Sequence, residues 1–115
     1  MITRKENISK ENQQVALKEF TTQLYESYPH EIEQIILFGS MARQDAGEGS
    51  DVDVLVVTKS NNRLLKNEIT DLAFEIILKY GVDIEPVIFD KMEWARLTKK
   101  PTSFVHCVLN EGKNL

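Results

Sequence analysis

Three short apolar runs decide what this chain can become: Gln34–Phe38 (QIILF), Val52–Val57 (VDVLVV, apolar but for Asp53) and Val82–Phe89 (VDIEPVIF). The first ends abruptly at Gly39, the mark of a buried strand. The second is aliphatic along almost its whole length, so both of its faces are expected to be buried. In the third, Pro86 has no N–H to give a ladder, which places that strand at a sheet edge or on a bulge.

The segments between these runs carry a different period. Val15, Ala16, Phe20, Leu24 and Tyr28 recur at near-helical spacing after Ser9, a plausible N-cap, and Pro29 stops the helix. Leu65, Ile69, Leu72, Ala73, Ile76 and Tyr80 do the same after the cap residues Ser60-Asn61-Asn62, with Gly81 where a left-handed C′ residue would end the helix. Asp90 and Glu93 form a D-x-x-E capping box, so a helix should start at Lys91. Pro101 fits the first turn of a last helix bearing Phe104, Val105, Val108 and Leu109, with Gly112 as its stop. The order is helix, strand, turn, strand, helix, strand, helix, helix, which is a small α/β sheet with helices packed on it. No repeat or linker divides it, so residues 1–115 are read as one domain.

Composition narrows the partners. A formal net charge of −4 and a pI near 5.2 argue against broad electrostatic binding to DNA or RNA, which needs many Lys and Arg. A nucleotide stays open, because a bound metal offsets its charge locally. The lone Cys107 leaves no disulfide to form within the chain, the polar N-terminus carries no apolar signal-peptide core, and no apolar run approaches the ~18 residues of a membrane span. The expected compartment is the cytoplasm.

The chemistry concentrates in Gly39–Val57, GSMARQDAGEGSDVDVLVV. Residues two apart on a strand share a face, ~6.6 Å apart at ~3.3 Å per residue, so Asp51 and Asp53 project together. Two such carboxylates repel each other and need compensation. An oxygen-only ligand set favours Mg²⁺ or Mn²⁺ over zinc. Asp83 and Glu85 repeat the arrangement on the third run. If the two strands are neighbours, three or four carboxylates surround one point, as in sites where two metals clamp a displacement at phosphorus. Gly39 lets a phosphate approach the backbone, Ser40 to Arg43 can form one helical turn with free N–H groups, and Arg43 adds a bidentate positive charge.

This stretch resembles the signature G-S-x-A-R-G-x(5)-S-D-x-D-[LIV]-x-V of the minimal nucleotidyltransferases, small members of the DNA polymerase β-like nucleotidyltransferase superfamily. Gly39, Ser40, Ala42, Arg43, Ser50, Asp51, Asp53 and Val56 or Val57 fall at or next to the pattern positions, whereas Gln44 stands where the pattern has glycine. The resemblance implies a mixed sheet flanked by helices and transfer of a nucleoside monophosphate, commonly AMP from ATP, to a hydroxyl. It further implies that Gly39 and Ser40, with Arg43 and Ser50, hold the nucleotide. Asp51, Asp53 and a third carboxylate, Asp83 or its rival Glu85, would bind two Mg²⁺ ions, with Mn²⁺ as a substitute. The chain is expected to carry the catalytic unit alone, with the acceptor on another molecule. Small members are often paired with a HEPN protein, a helical toxin whose tyrosine is the acceptor. A non-catalytic antitoxin that masks its partner is the alternative, and self-association stays open.

Elsewhere the plainer readings are preferred. His30 is read as a solvated turn residue and Cys107 as a small core hydrophobe. His106 and Cys107 are adjacent on one helix and point apart, so they make no metal site. Trp94 should pack on the sheet. Arg96, Lys99 and Lys100 form a basic cluster, read as a solvated face, with an acidic partner or the acceptor as the sharper reading.

Overall fold

A computed structural model describes residues 10–43 and 51–115. Ser9, Gln44 and Ser50 lie outside the described residues. Five helices and four strands follow in the order α1 (Lys10–Ser27), β1 (Ile32–Phe38), α2 (Ser40–Arg43), β2 (Val52–Thr58), α3 (Arg63–Tyr80), β3 (Ile84–Asp90), α4 (Lys91–Leu97), α5 (Ser103–Glu111) and β4 (Lys113–Asn114).

The strands form one mixed sheet in the order β3-β2-β1-β4. β1 runs antiparallel to β2 and to β4, and β2 runs parallel to β3, with α3 as the crossover that a parallel pair requires. β3 is an edge strand, which is how Pro86 is accommodated without costing a ladder bond.

Alternation along the strands sorts their side chains onto two faces. Ile35 and Leu37 of β1, Val52, Val54 and Val56 of β2, and Ile84 of β3 share a core with Ala16, Leu17, Phe20 and Leu24 of α1 and Leu65, Ile69, Ala73 and Ile76 of α3. The intervening residues Ile36, Phe38, Leu55 and Val57 face the other way and pack with Val108 of α5. Val87, Phe89, Trp94, Phe104 and Cys107 close over that second core. Trp94 stacks on Phe89 at 6.3 Å and Phe104 meets Phe38 edge-on at 5.4 Å, so the plainer reading of Trp94 holds. Burial of each large apolar side chain here is worth about 1.5–3 kcal/mol, and these two layers account for the sheet's position between its helices.

The caps behave as their chemistry dictates. Asn62 accepts from the backbone N–H of Leu65, Gly81 closes α3 at φ 70°, and Asp90 and Glu93 make a reciprocal capping box. Glu19 on α1 accepts from Tyr80 at 2.6 Å and pairs with Lys79 at 3.0 Å, and these contacts hold its carboxyl below the ordinary value. Tyr28 donates to Glu68, which pushes the phenol up to about 12.

Two expectations need correction, and two features lay beyond what the sequence pattern states. Pro101 is not in the first turn of α5. Thr102 is the cap, its hydroxyl accepting from Val105 N at 3.2 Å, and the proline precedes it. β3 starts at Ile84 rather than Val82, because its ladder with β2 begins at Val52↔Ile84. Val15 and Leu109 keep helical spacing but are 46% and 59% exposed. Finally, β4 has only two polar residues and gains strand geometry by pairing with Ile36 and Leu37, which no local pattern announces.

Candidate active site

The parallel register of β2 and β3 pairs Asp53 with Glu85. Just before the strands, the backbone N–H of Val52 donates to the carbonyl of Asp83 at 2.9 Å, tying the two approaches together. By alternation, Asp53 and Glu85 lie on the same face as Leu55, Val57, Val87 and Phe89, beyond the end of the aromatic layer. Carboxylate oxygens of Asp51, Asp83 and Glu85 lie within 4.8 Å of one another. Asp83 is half-buried, and Asp51 and Glu85 are exposed.

Asp53 faces the other wall of the site. Its Cα partner on β1 is Phe38, so the next residue, Gly39, stands against the Asp53 carboxylate. Gly39 has φ +79°, and a Cβ added there would overlap Asp53 Oδ2. Glycine is required twice over, by its left-handed backbone and by the close approach. The chain then turns into α2, where the N–H of Arg43 donates to Gly39 O at 3.2 Å.

Crowding of like charges leaves its mark. Burial raises the Asp53 carboxyl above its ordinary value, Asp51 and Asp83 add to the rise, and Arg43 partly offsets it. Glu85 is raised first by the charge of Asp83, then by burial and by Asp51. Burial is the larger cause at Asp53 and like-charge repulsion the larger at Glu85.

The donor set suits a divalent cation. It is all oxygen, carboxylate-rich, open on one side, and repulsive without a counter-charge, which is what Mg²⁺ or Mn²⁺ binding demands. Of the sequence candidates, the structure brings together Asp51, Asp83 and Glu85 as a close trio, with Asp53 between them and the Gly39–Arg43 turn. Asp83 and Glu85, treated as rivals in the sequence, stand side by side.

One wall of the site carries no sequence signal. On α5, Glu111 lies 3.6 Å from Arg43, and Cys107 approaches the backbone of Gly39 while donating to Glu111 at 3.3 Å. Nothing in the spacing links residues 107 and 111 to residues 39 and 43. The packing of Val108 and Phe104 on β1 and the return of β4 along β1 set the end of α5 there.

The sequence profile of the family described as "Polymerase beta, Nucleotidyltransferase" matches residues 19–115. The chain belongs to this family. Among relatives of this nucleotidyltransferase is MJ0604 of Methanocaldococcus jannaschii, a candidate protein adenylyltransferase, 38% identical over 104 residues that span 90% of this chain and 98% of that protein. In structure it resembles a candidate minimal nucleotidyltransferase, with a TM-score of 0.58 and 23% identity over 90% of this chain and 95% of that one. It also resembles a chain in the complex of a tri-AMPylated Shewanella oneidensis HEPN toxin with its MNT antitoxin. That match has a TM-score of 0.51 and 22% identity, and covers 89% of this chain and 70% of that one. These two likenesses are of fold. Among the described residues, no helix is long and apolar enough to cross a membrane.

Proposed function

We propose that this nucleotidyltransferase moves AMP from ATP to a hydroxyl on a partner protein, and that a HEPN-type protein is that partner. The observation that carries the reading is the acidic trio Asp51, Asp83 and Glu85 standing beside Asp53 and the glycine turn. The kinship with MJ0604 supports AMP and a protein acceptor, and the fold shared with a chain of the complex between an AMPylated HEPN toxin and its MNT antitoxin supports the kind of partner.

In this reading Gly39 and Ser40 approach the phosphates through the backbone, and Arg43 and Ser50 hold their charge. Asp51, Asp53 and Asp83 hold the metal. Asp83 is preferred to Glu85 because it is half-buried and its own backbone is bonded to β2. A divalent ion held by these carboxylates would supply Lewis-acid polarisation of the α-phosphate and charge stabilisation for the leaving group. The acceptor oxygen forms a bond to the α-phosphorus. The bond from that phosphorus to the bridging oxygen breaks, pyrophosphate leaves with the electron pair, and the hydroxyl proton passes to the carboxylate cluster. The catalytic unit is taken as the single domain 1–115, with the acceptor supplied by a second molecule.

The test is incubation with α-labelled ATP, Mg²⁺ and the HEPN-type partner, with Asp51→Asn and Asp53→Asn alongside. Label transfer that needs both aspartates is the expected result. Tight partner binding without transfer, or neutralisation of the partner that survives Asp51→Asn undiminished, would replace the reading with a masking protein.

A further inference from the structure

Resting on the transfer reading, we propose that an open groove along α5 seats the acceptor. Its occupant is an extended polypeptide segment that presents the hydroxyl at one end and acidic residues at the other. The groove encloses about 920 Å³ between the α4–α5 connection and the outer side of α5. At one end it is lined by Cys107 and Glu111, the residues that border the Gly39–Arg43 turn, so that end adjoins the glycine-turn wall of the candidate active site. At the other end stand Lys99 and Lys100, both exposed and neither in an ion pair among the described residues.

Charge selects the occupant and its direction. In a chain of formal net charge −4, two adjacent free lysines are a local exception that favours an acidic partner. The catalytic end is the reverse. Glu111 and the carboxylate trio repel acids there, so the neutral hydroxyl residue belongs at that end and the acidic residues at the lysines. Between them, Leu109 offers an exposed apolar contact and Asn110 bonds His106 at 2.9 Å, a surface with amide and imidazole groups for a backbone. The nine residues of α5 rise ~13.5 Å at ~1.5 Å each. An extended chain at ~3.3 Å per residue covers that distance in about four residues. Because the lysines precede α5, the acidic residues should therefore lie at least about four positions from the modified hydroxyl.

The experiment uses the full chain, Mg²⁺, α-labelled ATP, the HEPN-type partner and a set of synthetic peptides. Each peptide carries one tyrosine, serine or threonine, and a pair of aspartates is moved stepwise away from it. Labelling should peak at one spacing, with the acids at least about four residues away. The K99E/K100E variant, changed only at exposed positions, should raise the acceptor KM about tenfold with kcat and Mg-ATP binding unchanged, and should shift the preference to lysine-bearing peptides. Labelling that ignores the position of the acids, or K99E/K100E behaving as wild type on peptide and partner alike, would overturn the groove while leaving transfer intact. Wild-type protein that labels neither partner nor peptide would overturn the transfer reading and the groove with it.

Discussion

Along one face of β2 and β3, two halves of the same surface obey opposite rules. In one half, Leu55, Val57, Val87 and Phe89 pack under Val108, Trp94 and Phe104. In the other, Asp51, Asp53, Asp83 and Glu85 continue the same alternation with carboxylates. Asp53 and Glu85 share the strands' geometry and register, with Asp51 and Asp83 just ahead of them, so at the paired positions the difference lies in side-chain chemistry. The apolar half stabilises the sheet and fixes its register. The acidic half is held in place by that stability although its charges oppose folding, which is where a conflict with local rules marks function.

The comparison breaks most sharply on Asp53. Asp53→Asn should lower kcat/KM for AMP transfer about 10³-fold or more, near 4 kcal/mol of transition-state stabilisation, while the metal-free unfolding midpoint rises because a partly buried charge, and with it the repulsion from Asp51 and Asp83, is removed. Steady-state kinetics and a thermal melt on the same preparation check both halves of that statement.

The mirror-image change is Leu55→Ala in the apolar half. Leu55 is fully buried, and its truncation should cost about 2–4 kcal/mol in urea unfolding, with the kcat of the folded protein retained. Gly39→Ala stands between the two. Its Cβ would force Asp53 aside and its φ would be strained, so activity should fall about 10–100-fold and stability by about 1–2 kcal/mol.

A pH series sharpens the same contrast. Asp53 and Glu85 have folded-state values raised by burial and by neighbouring charge. Each therefore binds a proton more readily in the folded chain than in the unfolded one. The stability this gives is fully present below the ordinary carboxylate range and is lost as pH rises through the raised values. Without metal, the midpoint advantage of Asp53→Asn over wild type should be largest near neutrality and should vanish on acidification. Glu19 is lowered and acts in the opposite sense, but it is common to both proteins and cancels in the difference. The smallest effect belongs to the far end of the sheet. Asn62→Ala removes the cap of α3 and should cost about 1 kcal/mol with no change in transfer.

Much of this was legible because local chemistry and tertiary position agree. The alternation of VDVLVV and VDIEPVIF places the acids on one face before any contact is known. Pro86 announces an edge, and Asn62, Gly81 and the Asp90/Glu93 box announce helix ends. What escaped depends on contacts remote in sequence. β4 is two polar residues that become a strand only by pairing with β1, and that pairing helps set Glu111 beside Arg43. The choice between Asp83 and Glu85 was equally illegible, because register alone puts Glu85 beside Asp53 and a backbone bond puts Asp83 beside Asp51. Pro101 misled because proline is favoured both inside a helix's first turn and just ahead of its cap, and the Thr102 hydroxyl decides between them.

The proposed transfer requires the acidic half of this face to hold metal and nucleotide together. The most direct measurement of this is a titration with Mn²⁺ in the presence of a non-hydrolysable ATP analogue, following the free-ion signal by electron paramagnetic resonance. Nucleotide-dependent loss of free Mn²⁺ in wild type, abolished in Asp51→Asn and Asp53→Asn but kept in Leu55→Ala, is the predicted result. Equal Mn²⁺ uptake by wild type and both aspartate variants would contradict it.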